Sequence, residues 1–138
     1  MERAPELEQA MKDLYAAMGR GDGGFLRDFV SESDGVTMIA TDPNEYWTDH
    51  GTITRVWAQQ LDEMGGLDIQ PGELRAYRDG DVGWAADRPT IRMPDGSELP
   101  FRITAVYTRE NGGWKLVQGH ASIGVANEEA LGQELTTG

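Results

Sequence analysis

The feature that most constrains the fold is a change of hydrophobic period at Gly65 and Gly66. Before these glycines, apolar residues recur every three or four positions, which is the spacing of one helix face. From about Leu67 onward, short apolar runs are separated by compact turn signals, the pattern of antiparallel strands. Helices first and strands second predict an α+β chain in which helices cover one face of a sheet.

Three helices are predicted in the first half of the chain. The first begins near Pro5, and its apolar face consists of Leu7, Ala10, Met11, Leu14, Tyr15 and Met18. Gly19 and Gly21 end this helix, because glycine readily adopts the left-handed conformation that follows a helix. Asp22 is a candidate N-cap for a short second helix, and the third helix ends at the Gly65-Gly66 pair.

One short and four longer strands are predicted, over 36–40, about 70–78, 82–93, 98–109 and 114–124. The turns between the longer strands are short, so neighbouring strands should pair antiparallel as a meander. Pro89 and Pro100 lack the N–H group that a central ladder needs, and they predict bulges or strand ends. A curved sheet closed on one side by helices leaves a conical space, which is a natural ligand cavity.

Length and composition are typical of one domain, which we predict over residues 1–126, with a mobile C-terminal tail over 127–138. Cysteine is absent, which excludes a disulfide framework and thiol nucleophiles. The chain has no run of about 18 apolar residues and no apolar leader at its N-terminus. We therefore expect a cytoplasmic protein.

The charge balance argues against two classes of partner. The formal net charge is −12, with 24 acidic against 12 basic residues. A protein that binds nucleic acid through its phosphates needs a basic surface, and an anionic membrane surface would repel an acidic chain. We expect neither nucleic acid nor a membrane as a partner.

Metal and cofactor signals are also missing. His50 and His120 are the only histidines, and they do not form a zinc-binding pattern. The glycine-rich stretch over 19–24 lies between two predicted helices and does not follow a strand, unlike a phosphate loop or a dinucleotide fingerprint. We expect no metal and no cofactor.

Three segments carry a family resemblance. They are the helix break Met-Gly-Arg-Gly-Asp over 18–22, the segment Thr-Asp-Pro-Asn-Glu-Tyr-Trp over 41–47, and the ending Gly-Trp-Lys-Leu-Val-Gln-Gly-His-Ala-Ser over 113–122. With these segments and its order of elements, the chain resembles SnoaL-like (nuclear transport factor 2-like) domains, which include ketosteroid isomerase, scytalone dehydratase and polyketide cyclases. The resemblance implies a cone-shaped sheet on three N-terminal helices, and a homodimer formed through the sheet.

The catalytic positions of ketosteroid isomerase are not kept. Laid onto this chain, they fall near Leu14, Ala40 and Ala105, none of which carries an acid, a base or a hydroxyl. Tyr15 lies about 100° round the helix from the tyrosine position, and Asp42 lies two residues beyond the position of the base. The known route of steroid isomerisation is therefore not expected. Asp42 and His120 remain candidate general bases.

A second member of this fold, the association domain of calmodulin-dependent kinase II, has arginines that point into the cone. The resemblance implies that this chain retains one of these arginines, at Arg88. Strand alternation then predicts that Trp84, Ala86 and Arg88 lie on the concave face. The residues expected to face them from the next strand are Tyr107, Ala105 and Ile103.

The predicted ligand-binding residues of the cone are Tyr15, Trp47, Trp57, Trp84, Arg88 and His120. An arginine in an apolar cone would bind a carboxylate or phosphate, although Arg88 could instead pair with Asp87 or Glu45, or face solvent. His120 alternates with Ala121, and which of the two faces the cone stays open, because a bulge would exchange them.

Three functions are compatible with these residues. The first is a domain that binds a small apolar or aromatic molecule, acids included. The second is an isomerase, dehydratase or cyclase that acts on a carbonyl or polyketide-like compound. The third is an association module whose purpose is its dimer.

Overall fold

The computed structural model describes residues 1–138. Its helices are α1 (Pro5–Arg20), α2 (Gly23–Phe29), α3 (His50–Met64) and α4 (Asn127–Leu131). Its strands are β1 (Glu2–Arg3), β2 (Thr37–Ile39), β3 (Tyr46–Trp47), β4 (Asp68–Gln70), β5 (Arg75–Asp79), β6 (Val82–Asp87), β7 (Thr90–Arg92), β8 (Glu98–Pro100), β9 (Arg102–Glu110) and β10 (Gly113–Ser122). No helix is long and apolar enough to cross a membrane.

The ends of the N-terminal helices are set by local chemistry. Gly21 and Gly65 follow α1 and α3 with φ values of 66° and 71°, the left-handed conformation predicted for them. Asp22 is the N-cap of α2, as predicted, and its side chain accepts a hydrogen bond from the backbone N–H of Phe25. Asp49 caps α3 in the same way, through the N–H of Thr52.

A seven-stranded sheet has the order β1-β5-β6-β9-β10-β2-β3. Its centre is the predicted antiparallel meander of β5, β6, β9 and β10. The strand β2 joins it parallel to β10. The two long predicted strands over 82–93 and 98–109 are each divided in two, at Pro89 and after Pro100. The divided ends, β7 and β8, turn away and form a separate three-stranded sheet in which β7 pairs with β4 on one side and with β8 on the other.

The core lies between α1 and the inner face of the large sheet. Leu7, Met11 and Leu14 of α1 are fully or almost fully buried. Tyr107 of β9 is completely buried, and its hydroxyl donates a hydrogen bond to Met11 Sδ at 2.8 Å. Burial raises the pKa of the Tyr107 phenol. This packing fixes which face of the sheet points toward the helices.

The prediction that Trp84, Ala86 and Arg88 face the cone is wrong. Tyr107, Ala105 and Ile103 face the helices as expected, but they pair with Gly83, Ala85 and Asp87. Each of these β9 residues thus pairs with the β6 residue one position earlier than expected. The cause is the loop that follows β7: the N–H of Met93 donates a hydrogen bond to the carbonyl of Ser97, which leaves three residues in the loop. A shift of one residue in register moves every side chain of a strand to the opposite face.

Candidate functional site

A cavity of about 250 Å³ lies between the helices and the inner face of the sheet. Helices α1 and α3 form one wall, and strands of the large sheet (β2, β3, β9 and β10) and of the small sheet (β7 and β8) form the other. Of the 24 residues that line it, 18 are hydrophobic. The apolar lining includes Leu14, Met38, Trp47, Trp57, Leu61, Ile91, Leu99, Phe101 and Leu116. The conical space predicted from the order of elements is therefore present.

Two of the predicted aromatic residues line this cavity. Trp57 projects from α3 and Trp47 from β3, and both are half-buried. Four of the six methionines also line it, namely Met18, Met38, Met64 and Met93. Thioether side chains are flexible and make favourable contacts with aromatic rings. The wall can therefore adjust to the shape of an apolar guest.

A carboxylate–amide pair, Glu45 and Gln60, supplies the polar group of the wall. Gln60 Nε2 of α3 donates to Glu45 Oε2 at 2.6 Å. The backbone N–H of Asp42 donates to Glu45 Oε1 at 2.8 Å. Both carboxylate oxygens are thus oriented by the chain, and the β2–β3 connection is tied to α3. A carboxylate held at the edge of an apolar space can accept a hydrogen bond from a ligand or take up a proton.

Sequence reasoning missed this pair, although a signal for it existed. Gln60 follows Trp57 by three positions and precedes Met64 by four. It therefore lies on the apolar face of α3, where a polar side chain is unusual and needs a partner. The sequence pattern predicts Glu45 only as a partner for Arg88.

Tyr15 is buried, but it contacts a carboxylate outside the cavity lining. Its hydroxyl donates to Asp87 Oδ2 at 2.8 Å, and the backbone N–H of Gly72 donates to Asp87 Oδ1 at 3.1 Å. Burial, and secondarily the Asp87 carboxylate, raise the pKa of Tyr15. Tyr15 therefore links α1 to the end of β6, as a structural contact. A ligand in the cavity would not meet its hydroxyl.

Arg88 and Trp84 lie on the outer face of the sheet. The Arg88 side chain is 68% exposed and forms an ion pair with Glu73. Trp84 is half-buried and pairs across strands with Val106. The cone consequently lacks the arginine predicted for it, and no arginine lines the cavity. The physical reason is the one-residue register difference in the β6–β9 pair.

The two candidate bases are also placed away from the cavity interior. A register shift between Leu116 and Gln118 brings His120 opposite Thr104 on the outer face, while Ala121 faces inward. His120 is exposed and borders both the cavity and a groove on the outer face. Asp42 is exposed, and its carboxylate accepts the N–H of Asn44 at 2.8 Å.

The distribution of acidic and histidine side chains bears on metal binding. No cluster of three or more His, Asp or Glu side chains is arranged to hold a metal ion. The imidazole of His50 lies 2.9 Å from the carbonyl oxygen of Arg27 and so joins α3 to α2. The polar side chains at the cavity are therefore the Glu45–Gln60 pair and, at its border, Thr41, Thr104 and His120.

Comparison with known proteins gives one family. The SnoaL-like domain family matches residues 7–126. No curated protein matches the chain.

Solved structures share the fold at low identity. A nuclear transport factor 2-like protein of unknown function from Pseudomonas putida has a TM-score of 0.76 at 16% identity, covering 96% of both chains. A candidate dehydratase of that family from Streptomyces avermitilis has a TM-score of 0.74 at 20% identity, covering 87% of this chain and 94% of its own. A candidate ketosteroid isomerase from Shewanella frigidimarina has a TM-score of 0.69 at 17% identity, covering 83% and 92%. At these identities the likeness concerns the fold.

Proposed function

The chain belongs to the SnoaL-like domain family, and we propose that its cone binds a small, mainly apolar molecule with Glu45 as the polar anchor. The observation that carries this proposal is the cavity itself, with hydrophobic residues at 18 of its 24 lining positions. Ligand sites are usually apolar clefts with a few placed polar groups. The Glu45–Gln60 pair is such a group.

The size of the cavity limits the ligand. Apolar cavities of about 150 Å³ hold one benzene molecule, and this one has about 250 Å³. A guest somewhat larger than one aromatic ring fits that volume. The tryptophan and methionine walls favour a flat or aliphatic body over a highly polar one.

The charge of the anchor decides the polarity of the ligand. The cone offers a carboxylate at Glu45 and no arginine. A ligand carboxylate or phosphate would meet a like charge there, which costs free energy in an apolar site. An anionic ligand would need Arg88 in the cone. With Arg88 outside, a neutral or cationic ligand with a hydroxyl or amine donor fits better.

A thermal-shift screen tests this proposal. The compounds are small aromatic and alicyclic alcohols, amines and matched carboxylic acids. Alcohols and amines should raise the melting temperature by mass action, and the acids should not. Glu45→Gln should weaken the amine effect selectively. Arg88→Met, on the outer face, is the matched control, and amines should raise its melting temperature as much as that of the wild type. Absence of any hit, or loss of the effect in Arg88→Met, would reject the cone as the site.

A second candidate function is proton transfer, with Glu45 as the general base. The neighbours from Streptomyces avermitilis and Shewanella frigidimarina, described as a candidate dehydratase and a candidate ketosteroid isomerase, support it at the level of the fold. Glu45 is the carboxylate that faces the cavity. A ketone bound beside it could lose an α-proton to Glu45 Oε2, and Gln60 would keep the carboxylate oriented.

Deuterium exchange distinguishes the two functions. An aromatic or alicyclic ketone that raises the melting temperature in the same assay is incubated in D₂O with the protein, and the loss of its α-proton signal is followed by NMR. Exchange that depends on wild-type protein and disappears in Glu45→Gln supports catalysis. Binding without exchange leaves the cone as a binding site.

We also propose that the chain forms a homodimer through the outer face of the sheet, as the family resemblance implies. The middle of this face carries Tyr77, Trp84 and Val106, which lie side by side on adjacent strands. Aromatic side chains are enriched at interface centres. Sedimentation of the wild type should give twice the chain mass, and Trp84→Ala should give a monomer. Tyr46→Ala, which removes an exposed aromatic from another surface, should remain dimeric. A monomeric wild type would end this proposal.

A further inference from the structure

A groove of about 380 Å³ runs across the outer face of the sheet and contains three arginines. We propose that this groove is a second binding site, on the face of the sheet opposite the cone, for a compact dianion such as a phosphate or a dicarboxylate. Arg75, Arg88 and Arg102 supply the positive charge, and Thr104 and Ser122 supply hydroxyl groups.

Strand register brings these side chains together. Arg75 pairs with Ala86, which pairs with Thr104, which in turn pairs with His120. Directly paired residues point to the same face and lie about 5 Å apart. The four residues therefore form a row across β5, β6, β9 and β10. Ser122 and Arg102 form the next pair along the groove. Ala86 has the smallest side chain in the row, so it forms the floor and leaves the space open.

The positive charge of the groove is only partly compensated. Arg88 pairs with Glu73, while Arg75 donates to the hydroxyl of Tyr77 at 3.2 Å. Arg102 forms no ion pair. The other carboxylate at the groove, Asp87, is buried and already accepts hydrogen bonds from Tyr15 and Gly72. Glu73 is thus the one exposed carboxylate among three guanidinium groups.

This arrangement is unusual for so acidic a chain. The formal net charge is −12, and the basic residues number 12 in total. Three arginines at one groove create a local positive potential on a chain whose overall potential is negative. Such a local charge indicates a specific anionic ligand, because the chain as a whole repels anions. Guanidinium groups bind phosphate and carboxylate oxygens through paired N–H donors. Three of them, with hydroxyl donors beside them, suit a ligand with two negative charges.

An NMR titration of the full chain at low ionic strength tests the proposal. The probes are inorganic phosphate, succinate and, as a monoanion, acetate. Saturable shifts at the amides of Thr104, His120 and Ser122 are expected with phosphate or succinate, and weaker ones with acetate. The relative affinity for phosphate and succinate identifies which kind of dianion the groove prefers. Arg102→Gln should weaken binding about tenfold or more. Arg55→Gln, an exposed arginine of α3, is the matched control and should bind normally.

Three results would overturn the proposal. One is the absence of saturable shifts with either dianion. Another is equal weakening by Arg102→Gln and Arg55→Gln, which indicates general electrostatics. The third is binding that appears in the Trp84→Ala variant and not in the wild type. In that case a second copy covers the groove, and the groove belongs to the dimer interface.

Discussion

The two faces of one sheet differ in chemistry although the same strands build them. On the inner face, β9 and β10 contribute Ala105, Leu116 and Ala121 to an apolar cavity with one carboxylate–amide pair at its wall. On the outer face, β9 contributes Arg102 and Thr104 to a groove rich in arginine. Neighbouring residues of one strand therefore lie in different environments, one at the apolar cavity and the next at the arginine-rich groove. Position along the chain says little about environment here, whereas the parity of each strand decides it.

The contrast is sharpest at the end of β6. Asp87 is only 4% exposed and accepts hydrogen bonds from Tyr15 and Gly72. Its neighbour Arg88 has a side chain that is 68% exposed. Substitutions at adjacent positions should therefore have unequal effects on the free energy of unfolding.

The largest difference is expected between Ala85→Phe and Ala86→Phe. Ala85 is 2% exposed on the inner face, and a phenyl ring there would overpack the core and cost about 3 kcal/mol. Ala86 is exposed on the outer face, so the same change should alter stability by less than about 0.5 kcal/mol. Urea unfolding of both variants measures this, and equal costs would contradict the assignment of faces. Ala86→Phe should also fill the outer groove.

A somewhat smaller difference is expected between Asp87→Ala and Arg88→Ala. Removing Asp87 leaves the Tyr15 hydroxyl and the Gly72 N–H without partners, which should cost about 2–3 kcal/mol. Arg88 takes part in an exposed ion pair, whose loss should cost less than about 0.5 kcal/mol. Denaturant midpoints at constant slope are the readout. A large loss in Arg88→Ala would place that side chain in the interior after all.

Tyr15→Phe should have an intermediate effect of about 1–2 kcal/mol, because it removes one donor to a buried carboxylate and keeps the ring. The variant should bind cone ligands with unchanged affinity, since the Tyr15 hydroxyl lies outside the cavity lining. Thermal denaturation with and without a ligand tests both points. A tenfold loss of affinity would mean that Tyr15 contacts the ligand.

The smallest effect is expected from the helix caps at low pH. Backbone N–H groups of Phe25 and Thr52 lower the pKa of Asp22 and Asp49, respectively. A carboxyl whose pKa is lower in the folded state contributes stability above its unfolded pKa and loses it as the pH falls through the folded value. Stability should therefore decline below about pH 4.

The double variant Asp22→Asn, Asp49→Asn tests the origin of this decline. Asparagine keeps the capping hydrogen bond but does not titrate. The variant should show a shallower loss of stability between pH 4 and about pH 2. An unchanged slope would assign the acid sensitivity to other carboxyls.

Much of the fold was predictable because its signals are local. The helical period of α1, the capping residue Asp22 and the glycines at 21 and 65 depend on neighbours a few positions away, and all were confirmed. The family resemblance was confirmed by the match over residues 7–126. Trp57 was placed at the cavity for the same local reason, since it lies on the apolar face of a predicted helix, whereas Trp47 lies in a segment for which no helix or strand was predicted.

The contents of the site were less predictable, because they depend on pairing between distant segments. The three-residue loop closed by Met93 and Ser97 shifts the β6–β9 register by one and moves Trp84 and Arg88 outward. The irregularity between Leu116 and Gln118 decides that Ala121, and not His120, faces inward. Neither feature changes the hydrophobic pattern enough to be read from it.

The sequence by itself determined the order of elements, the helix limits and the apolar character of the cone, since these follow from periodicity, capping and turn residues. Only the tertiary structure decided which polar groups meet. Glu45 and Gln60 are separated by 15 positions, and Tyr15 and Asp87 by 72. Such pairs form because buried polar groups must find partners when the helices pack on the sheet. That requirement acts between elements, so the local pattern of the chain does not reveal which partners are chosen.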